Sequence, residues 1–527
     1  MTIARTPRPV PGRDRPARWL TATLLAATIV GAAVVPALAV DPVPRPGGGA
    51  LVNVDPSAPV DPSASVVPTV DPSASVPPST DPSASPTAGP TSTPTPTATP
   101  IPTATPVPTA TPTPWPKPAW PTAITTLSSS VRFYGLGYGH GVGMSQYGAR
   151  GRAAAGQTAE QILGAYFRGA VLSTTSPTRD VRVLVLTGYA APSAAPLVLY
   201  GRGGTWGLST TSAVFPAGAR LLAWRSTRTV DGVATTTWRA RVLSAAGTEL
   251  YAATISGKLF MRPLEPATSL QVYSRPSRYD TYRGSLKVVL GASSAGVVNH
   301  LGLDQYLRGV VPVEMPVSWP REALRAQVIA ARSYATRELN PTTGMYDMFD
   351  DTRSQVYRGI EAERAATDAL IAAEPGAVIR YRDTVIKAFF FSTGGGATEN
   401  NEYAFVGSSG KPGTAVTYLR GITDRSAFGV PFDAAAPYYD WTSSTLTRGQ
   451  LSTIFGKDSR TRVGSLTRLD LRRRGVSGRL YQVVLYGSTG SKTVSADVFR
   501  SVYNAYKPST ALPLRSNLFD TRPIPMP

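Results

Sequence analysis

The stretch Leu303-Asp-Gln-Tyr-Leu-Arg-Gly-Val-Val-Pro-Val-Glu-Met-Pro-Val-Ser-Trp-Pro-Arg-Glu-Ala-Leu-Arg-Ala-Gln-Val-Ile-Ala-Ala-Arg-Ser-Tyr-Ala335 sets the reading of the chain. Leu324, Val328, Ala331 and Ala335 fall on one stripe at helical spacing, and proline suits a first helical turn, so a helix is predicted from Pro320 to about Leu339. Just before it, Glu314 sits between Val313 and Met315, inside Gly309-Val-Val-Pro-Val-Glu-Met-Pro316. Burial among those neighbours would raise its pKa above the ~4.3 of a free glutamate. The competing reading is that Glu314 only favours the positive end of the following helix, and the residues alone leave the two level. Glu322, in the first helical turn, reads as structural.

Outward from this stretch the pattern is mostly strand-like. The runs Asp180 to Leu186, Ala219 to Trp224, Thr237 to Val242 and Leu286 to Leu290 are short, rich in β-branched and aromatic residues, and bounded by Gly, Ser or Pro. Two further helical patterns cover Gln157 to Phe167 and Ala362 to Ala373. The predicted fold class is α+β, mostly β with a few helices.

The first 121 residues are different. Arg5, Arg8, Arg13, Arg15 and Arg18 precede an apolar run from Trp19 to Val35 and then Pro36-Ala37-Leu38-Ala39, which reads as a signal peptide cut after Ala39. An uncleaved anchor over 19–35 is the alternative. Both place the remainder outside the cytoplasm. Residues 40–121 repeat Asp-Pro-Ser-Ala and then Thr-Pro, a composition that builds no core and reads as a disordered linker. As polyproline II, ~80 such residues reach on the order of 250 Å.

Folded sequence is expected over 122–527, divided into a loop-and-helix segment (122–175), a β-rich part (176–300), a central part (301–440) and an αβ part (441–527). Nearly all of the formal charge of +20 falls there. A basic exported domain suits polyanionic surroundings, such as anionic wall polymers, and fits nucleic acid poorly. The chain has no cysteine, which excludes disulfides, thiolate nucleophiles and cysteine-ligated zinc.

With only two histidines, hydrolysis by a serine–histidine pair has few candidates. His300 lies in a strand-like run and reads as structural. His140 lies in Gly137-Tyr-Gly-His-Gly-Val-Gly-Met-Ser-Gln-Tyr-Gly-Ala149, where five glycines permit close backbone approach and a hydroxyl and an amide follow at Ser145 and Gln146. This reads as a functional loop, without the lysine of a phosphate-binding loop. Glycan chemistry needs instead a carboxylic acid kept protonated in a partly desolvated cleft, and Glu314 is the natural candidate.

The stretch from Leu303 to Ala335 resembles the signature of the stage II sporulation protein D and amidase-enhancer (SpoIID/LytB) family. So do Asp351-Thr-Arg-Ser-Gln-Val-Tyr-Arg-Gly359, Phe391-Ser-Thr-Gly-Gly-Gly396 with Glu399, the histidine loop, and the stretch from Val463 to Phe519. The resemblance implies a peptidoglycan lytic transglycosylase acting on glycan strands stripped of stem peptides, with Glu314 as the catalytic acid. A noncatalytic amidase enhancer, working beside a cell-wall amidase, is the alternative. His140, Ser145, Gln146, Gln327, Arg332, Tyr334, Gln355, Tyr357, Ser392, Gly394, Gly395 and Glu399 match motif positions that line or brace the groove. No cofactor is expected. Some family members hold zinc partly through cysteines, which this chain lacks. In the family's usual order the histidine loop comes last; here it comes first. Such a permutation requires joined ends, so Phe133 and Phe519 are predicted to be neighbours.

Overall fold

The computed structural model describes residues 120–524 apart from 177–178, 232, 256–257 and 340–343. The leader read over 1–39, and the Pro/Thr-rich tract up to residue 119, lie outside the described residues. Among the described residues, no helix is long and apolar enough to cross a membrane.

The fold is strand-rich α+β, as the sequence predicts. A seven-stranded sheet runs in the order 348–349, 180–189, 295–302, 285–290, 258–263, 206–208, 214–215. A six-stranded antiparallel sheet runs 249–255, 233–243, 220–230, 197–202, 269–272, 281–282. Alternation decides which side of each strand is buried. In Asp180–Tyr189 the buried residues are Val181, Val183 and Val185, and Leu197 with Leu199 repeat the rule. All of these belong to one continuous core. His300 lies in the strand Ala295–Gly302, its ring edge-on to Phe260 at 5.8 Å.

The predicted helix is Arg321–Glu338, with Pro320 as its N-cap. The single stripe seen in the sequence understates its burial: 13 of its 18 residues are buried. Helices Gln146–Ala154, Ala159–Tyr166, Leu303–Arg308 and Ala365–Ala373 and the strand Ala377–Tyr381 all pack against it. Small residues at 323, 326, 330, 331 and 335 let these neighbours approach from several sides. Glu322 is structural, as expected: it accepts the Ala159 N–H at 2.9 Å and pairs with Arg325 at 2.7 Å.

A second core is formed by two ends of the folded chain. Leu127, Val131 and Phe133 join Leu451, Phe455, Leu469, Leu485, Phe499 and Phe519. Its sheet runs 125–126, 466–470, 482–487, 490–495, and the helices Arg448–Gly456 and Ala496–Tyr506 contribute to the same core. The strand Tyr134–Leu136 pairs antiparallel with Phe519–Asp520, and the Phe133 and Phe519 rings are 5.4 Å apart, edge to face. The predicted adjacency of these two residues therefore holds.

Candidate functional site

Glu314 ends the short helix Val311–Glu314. Pro316 biases the residue before it away from helical geometry, and Met315 is extended at φ −131° and ψ 133°. The turn packs closely on Tyr357: a side chain at Gly309 would meet the Tyr357 ring at 2.6 Å. Glu314 is half-buried. Its Oε1 accepts the Val356 N–H at 3.1 Å, and its Oε2 accepts the Gln146 side-chain amide at 3.2 Å. The same Gln146 nitrogen donates to the Glu314 carbonyl at 3.1 Å. Burial raises the Glu314 pKa, and the Val356 N–H, the Gln146 amide and the Arg358 guanidinium pull it back in part. The rise matches the expectation drawn from Val313 and Met315.

Gln146 is delivered by the histidine segment. Met144–Ser145 pairs in parallel with Phe390–Phe391, and from Gln146 onward the chain is helical rather than loop. Gly143, at φ +76°, passes so close to the Phe389 carbonyl that no side chain fits there. Ser145 is fully buried and caps the helix by accepting the Gly148 N–H at 3.1 Å. Ser145→Ala should cost about 1 kcal/mol in chemical unfolding. An unchanged midpoint would show that the cap is dispensable.

His140 sits among the rings of Phe389, Phe391 and Phe405, with centroids at 5.9, 5.4 and 5.3 Å. Its Nδ1 accepts the Val142 N–H at 3.0 Å. Burial and then Arg479 lower its pKa to about 3, with Arg500 adding to this and the Phe390 backbone opposing it, so the imidazole is neutral. Three phenyl rings offer no metal ligands, and no group of three or more His, Asp or Glu side chains among the described residues is arranged to hold a metal. The zinc of some relatives does not fit here.

The other motif residues are largely interior. Arg332 is fully buried, bonded to Asp304 at 3.0 Å and to the carbonyls of Ile371 and Ala377. Gln327 is also fully buried, and its amide has no hydrogen-bond partner among the described residues. The Tyr306 hydroxyl donates to Gln355 at 3.1 Å, and that of Tyr357 donates to Asn299 at 2.9 Å. Tyr334 lies edge-on to Phe389 at 5.7 Å. Ser392 is half-buried, and its carbonyl accepts the Tyr147 N–H at 3.0 Å. The N–H groups of Gly394 and Gly395 both donate to Asp433, at 2.7 and 2.9 Å. Glu399 is buried and accepts from Val476 at 2.8 Å and from the Ser477 hydroxyl at 2.6 Å. Of the motif positions read as lining or bracing the groove, Ser145, Gln327, Arg332, Gln355, Tyr357, Gly394, Gly395 and Glu399 thus lie in the interior.

Three participants carry no side-chain signal in the sequence. Val356 contributes only its backbone. Arg358 acts through charge alone, and Asp433 stands in an unpatterned run of alanine and proline. An open concavity of about 440 Å³ lies elsewhere, lined by residues including Ile124, Leu127, Val131 and Arg522, and it has no acid to offer.

Residues 292–381 match the family described as Stage II sporulation protein (SpoIID). The chain is 31% identical over 189 residues to the stage II sporulation protein D of Bacillus subtilis, covering 32% of this chain and 51% of that one. It is 34% identical over 147 residues to the amidase enhancer of the same organism, covering 28% and 18%. A stage II sporulation protein D of Bacillus amyloliquefaciens shows 32% identity over 161 residues, covering 27% and 42%. The chain thus spans about half or less of the length of these relatives. No solved structure matches it significantly.

Proposed function

We propose, from the match of residues 292–381 to the SpoIID family, that this chain is a peptidoglycan lytic transglycosylase with Glu314 as its acid and base. A cell-wall-related role follows from the family. The observation carrying the finer reading is the half-buried Glu314 carboxyl, raised in pKa and held by one amide and one backbone N–H.

In the proposed reaction, protonated Glu314 gives its proton to the glycosidic oxygen as the bond from C1 to that oxygen breaks. The resulting carboxylate then takes the proton of the same sugar's 6-hydroxyl as that oxygen bonds to C1, leaving a 1,6-anhydro end. One carboxyl group serves both halves, so no second carboxylate is needed as nucleophile. Peptide-free strands are the proposed substrate. The extracytoplasmic wall is the proposed location, and the net positive charge suits anionic wall polymers.

Mass spectrometry of peptide-free strands after incubation tests this. Anhydro-ended fragments are expected, and intact strands would sink the enzyme reading. In that case the alternative is a noncatalytic partner of a cell-wall amidase, favoured by the similarity to the amidase enhancer.

The active form has Glu314 protonated, so the rate should fall as pH rises through its raised pKa. The alkaline limb of kcat/KM should then lie above that of a free glutamate. Gln146→Met removes a donor that favours the charged form and should move that limb to still higher pH. A limb that stays put would show that another group governs it.

A further inference from the structure

Arg150 lies on the helix that carries Gln146, one turn further along. Residues four apart share a helix face with Cβ atoms about 6 Å apart, and long helical side chains lean back toward the N-terminus. Arg150 is therefore directed toward the end of the helix that touches Glu314. Its guanidinium lies 5.3 Å from the Trp319 ring and 6.0 Å from that of Tyr147, and those two rings meet edge-on at 4.7 Å. Trp319 follows Glu314 by five residues. The helix that carries Gln146 and the turn that follows Glu314 thus both hold this cation.

Two nearby arginines are already paired, and Arg358, whose charge acts on Glu314, lies 5.2 Å from the Tyr279 ring. Arg152 pairs with Asp424 at 2.8 Å, and Arg325 bonds Glu160, Glu322 and Glu374. Arg150 is half-buried and forms no ion pair among the described residues. A guanidinium held against two rings leaves its N–H edge free to take a carboxylate in two parallel hydrogen bonds.

We infer that Arg150 is a carboxylate-binding residue beside the acid, and that it selects the sugar next to the scissile bond. This rests on the glycan reading above. In a peptidoglycan strand every second sugar bears a lactyl ether, whose carboxylate is free once the stem peptide is gone. A peptide-bearing lactyl group is an amide, carries no charge there, and forfeits the paired contact.

The test uses the full chain carrying Glu314→Gln, so that strands stay intact. Its affinity is measured for peptide-free strands, native or with the lactyl carboxylates reduced to alcohols. Native strands should bind about tenfold more tightly than reduced ones. Adding Arg150→Gln should erase that difference, whereas adding Arg468→Gln, an exposed arginine of the second core's sheet, should preserve it. Equal binding of both strands before Arg150 is changed overturns the carboxylate role and leaves the glycan reading standing. So does discrimination that survives Arg150→Gln, or that Arg468→Gln abolishes equally. Failure to bind either strand removes the glycan reading and this role together.

Discussion

Glu314→Gln should lower the rate of glycan cleavage by about 10²- to 10⁴-fold, the usual contribution of a general acid. Glutamine keeps the shape and can still accept the Val356 N–H. Its new NH2 faces the Gln146 amide, which can turn to present its own oxygen at the loss of its contact to the Glu314 carbonyl. That rearrangement should cost about 1 kcal/mol. Near-native stability with collapsed activity is therefore expected. A variant that cleaves at the native rate would assign the acid elsewhere, and one that fails to fold would place Glu314 among the bracing residues. Single-turnover release of anhydro ends, read beside a thermal melt, separates these outcomes.

Asp433→Ala is expected to cost about 3 to 5 kcal/mol of stability. Its carboxylate takes the Thr393 hydroxyl at 2.6 Å and the N–H groups of Gly394, Gly395 and Gly396 at 2.7, 2.9 and 3.0 Å, all in the interior. Removing it strands four donors away from water. Cleavage should fall as well, because the freed loop bridges Tyr138 through Thr393 and so supports the histidine segment that delivers Gln146.

The same group gives a pH signature. Burial, with the Asp424 carboxylate, pushes Asp433 up to about 6, against the pull of Thr393 and the glycine N–H groups. A carboxyl raised on folding contributes stability that is complete below its ordinary value of 3.8 and is lost as pH rises through about 6. The loss should be about 2 to 3 kcal/mol in the wild type, and Asp433→Ala should lack it. Urea titrations at pH 4 and pH 7 measure both, and a wild type that gains stability over that interval would contradict the assignment.

Legibility in the sequence followed local regularity. The helix Arg321–Glu338 and the strands at 180–189, 220–230 and 233–243 were readable because one period runs through each, and 285–290 because it is short, β-branched and bounded by glycine. The helix Gln146–Ala154 was hidden, since Gly148 belongs to the stretch Gly137 to Ala149 that reads as a loop and Gly151 follows close behind. In the fold they are glycines for another reason: side chains there would collide with the Tyr166 hydroxyl and Asp424, and with the Phe432 backbone. Helical preference yielded to close packing. At the site, Glu314 was legible from its apolar neighbours, and Gln146 only from its motif. Arg332 and Glu399 matched motif positions too, but a pattern of residue types does not tell a side chain that faces substrate from one that ties the interior together. Asp433 was invisible because its partners are backbone N–H groups more than 30 residues away.

The meeting of Phe133 with Phe519 also governs the order in which the molecule can be completed. A chain emerging from its N-terminus releases Leu127, Val131 and Phe133 long before their partners exist. The strand Tyr134–Leu136 must then wait for residues 440–442 and 519–520 to flank it. Contacts of such long sequence separation form late and slowly. The base of the segment leading into His140 and Gln146 is therefore flanked last, whereas the helix carrying Gln146 packs on Arg321–Glu338 and its preceding strand on Phe390–Phe391, without residues 440–520.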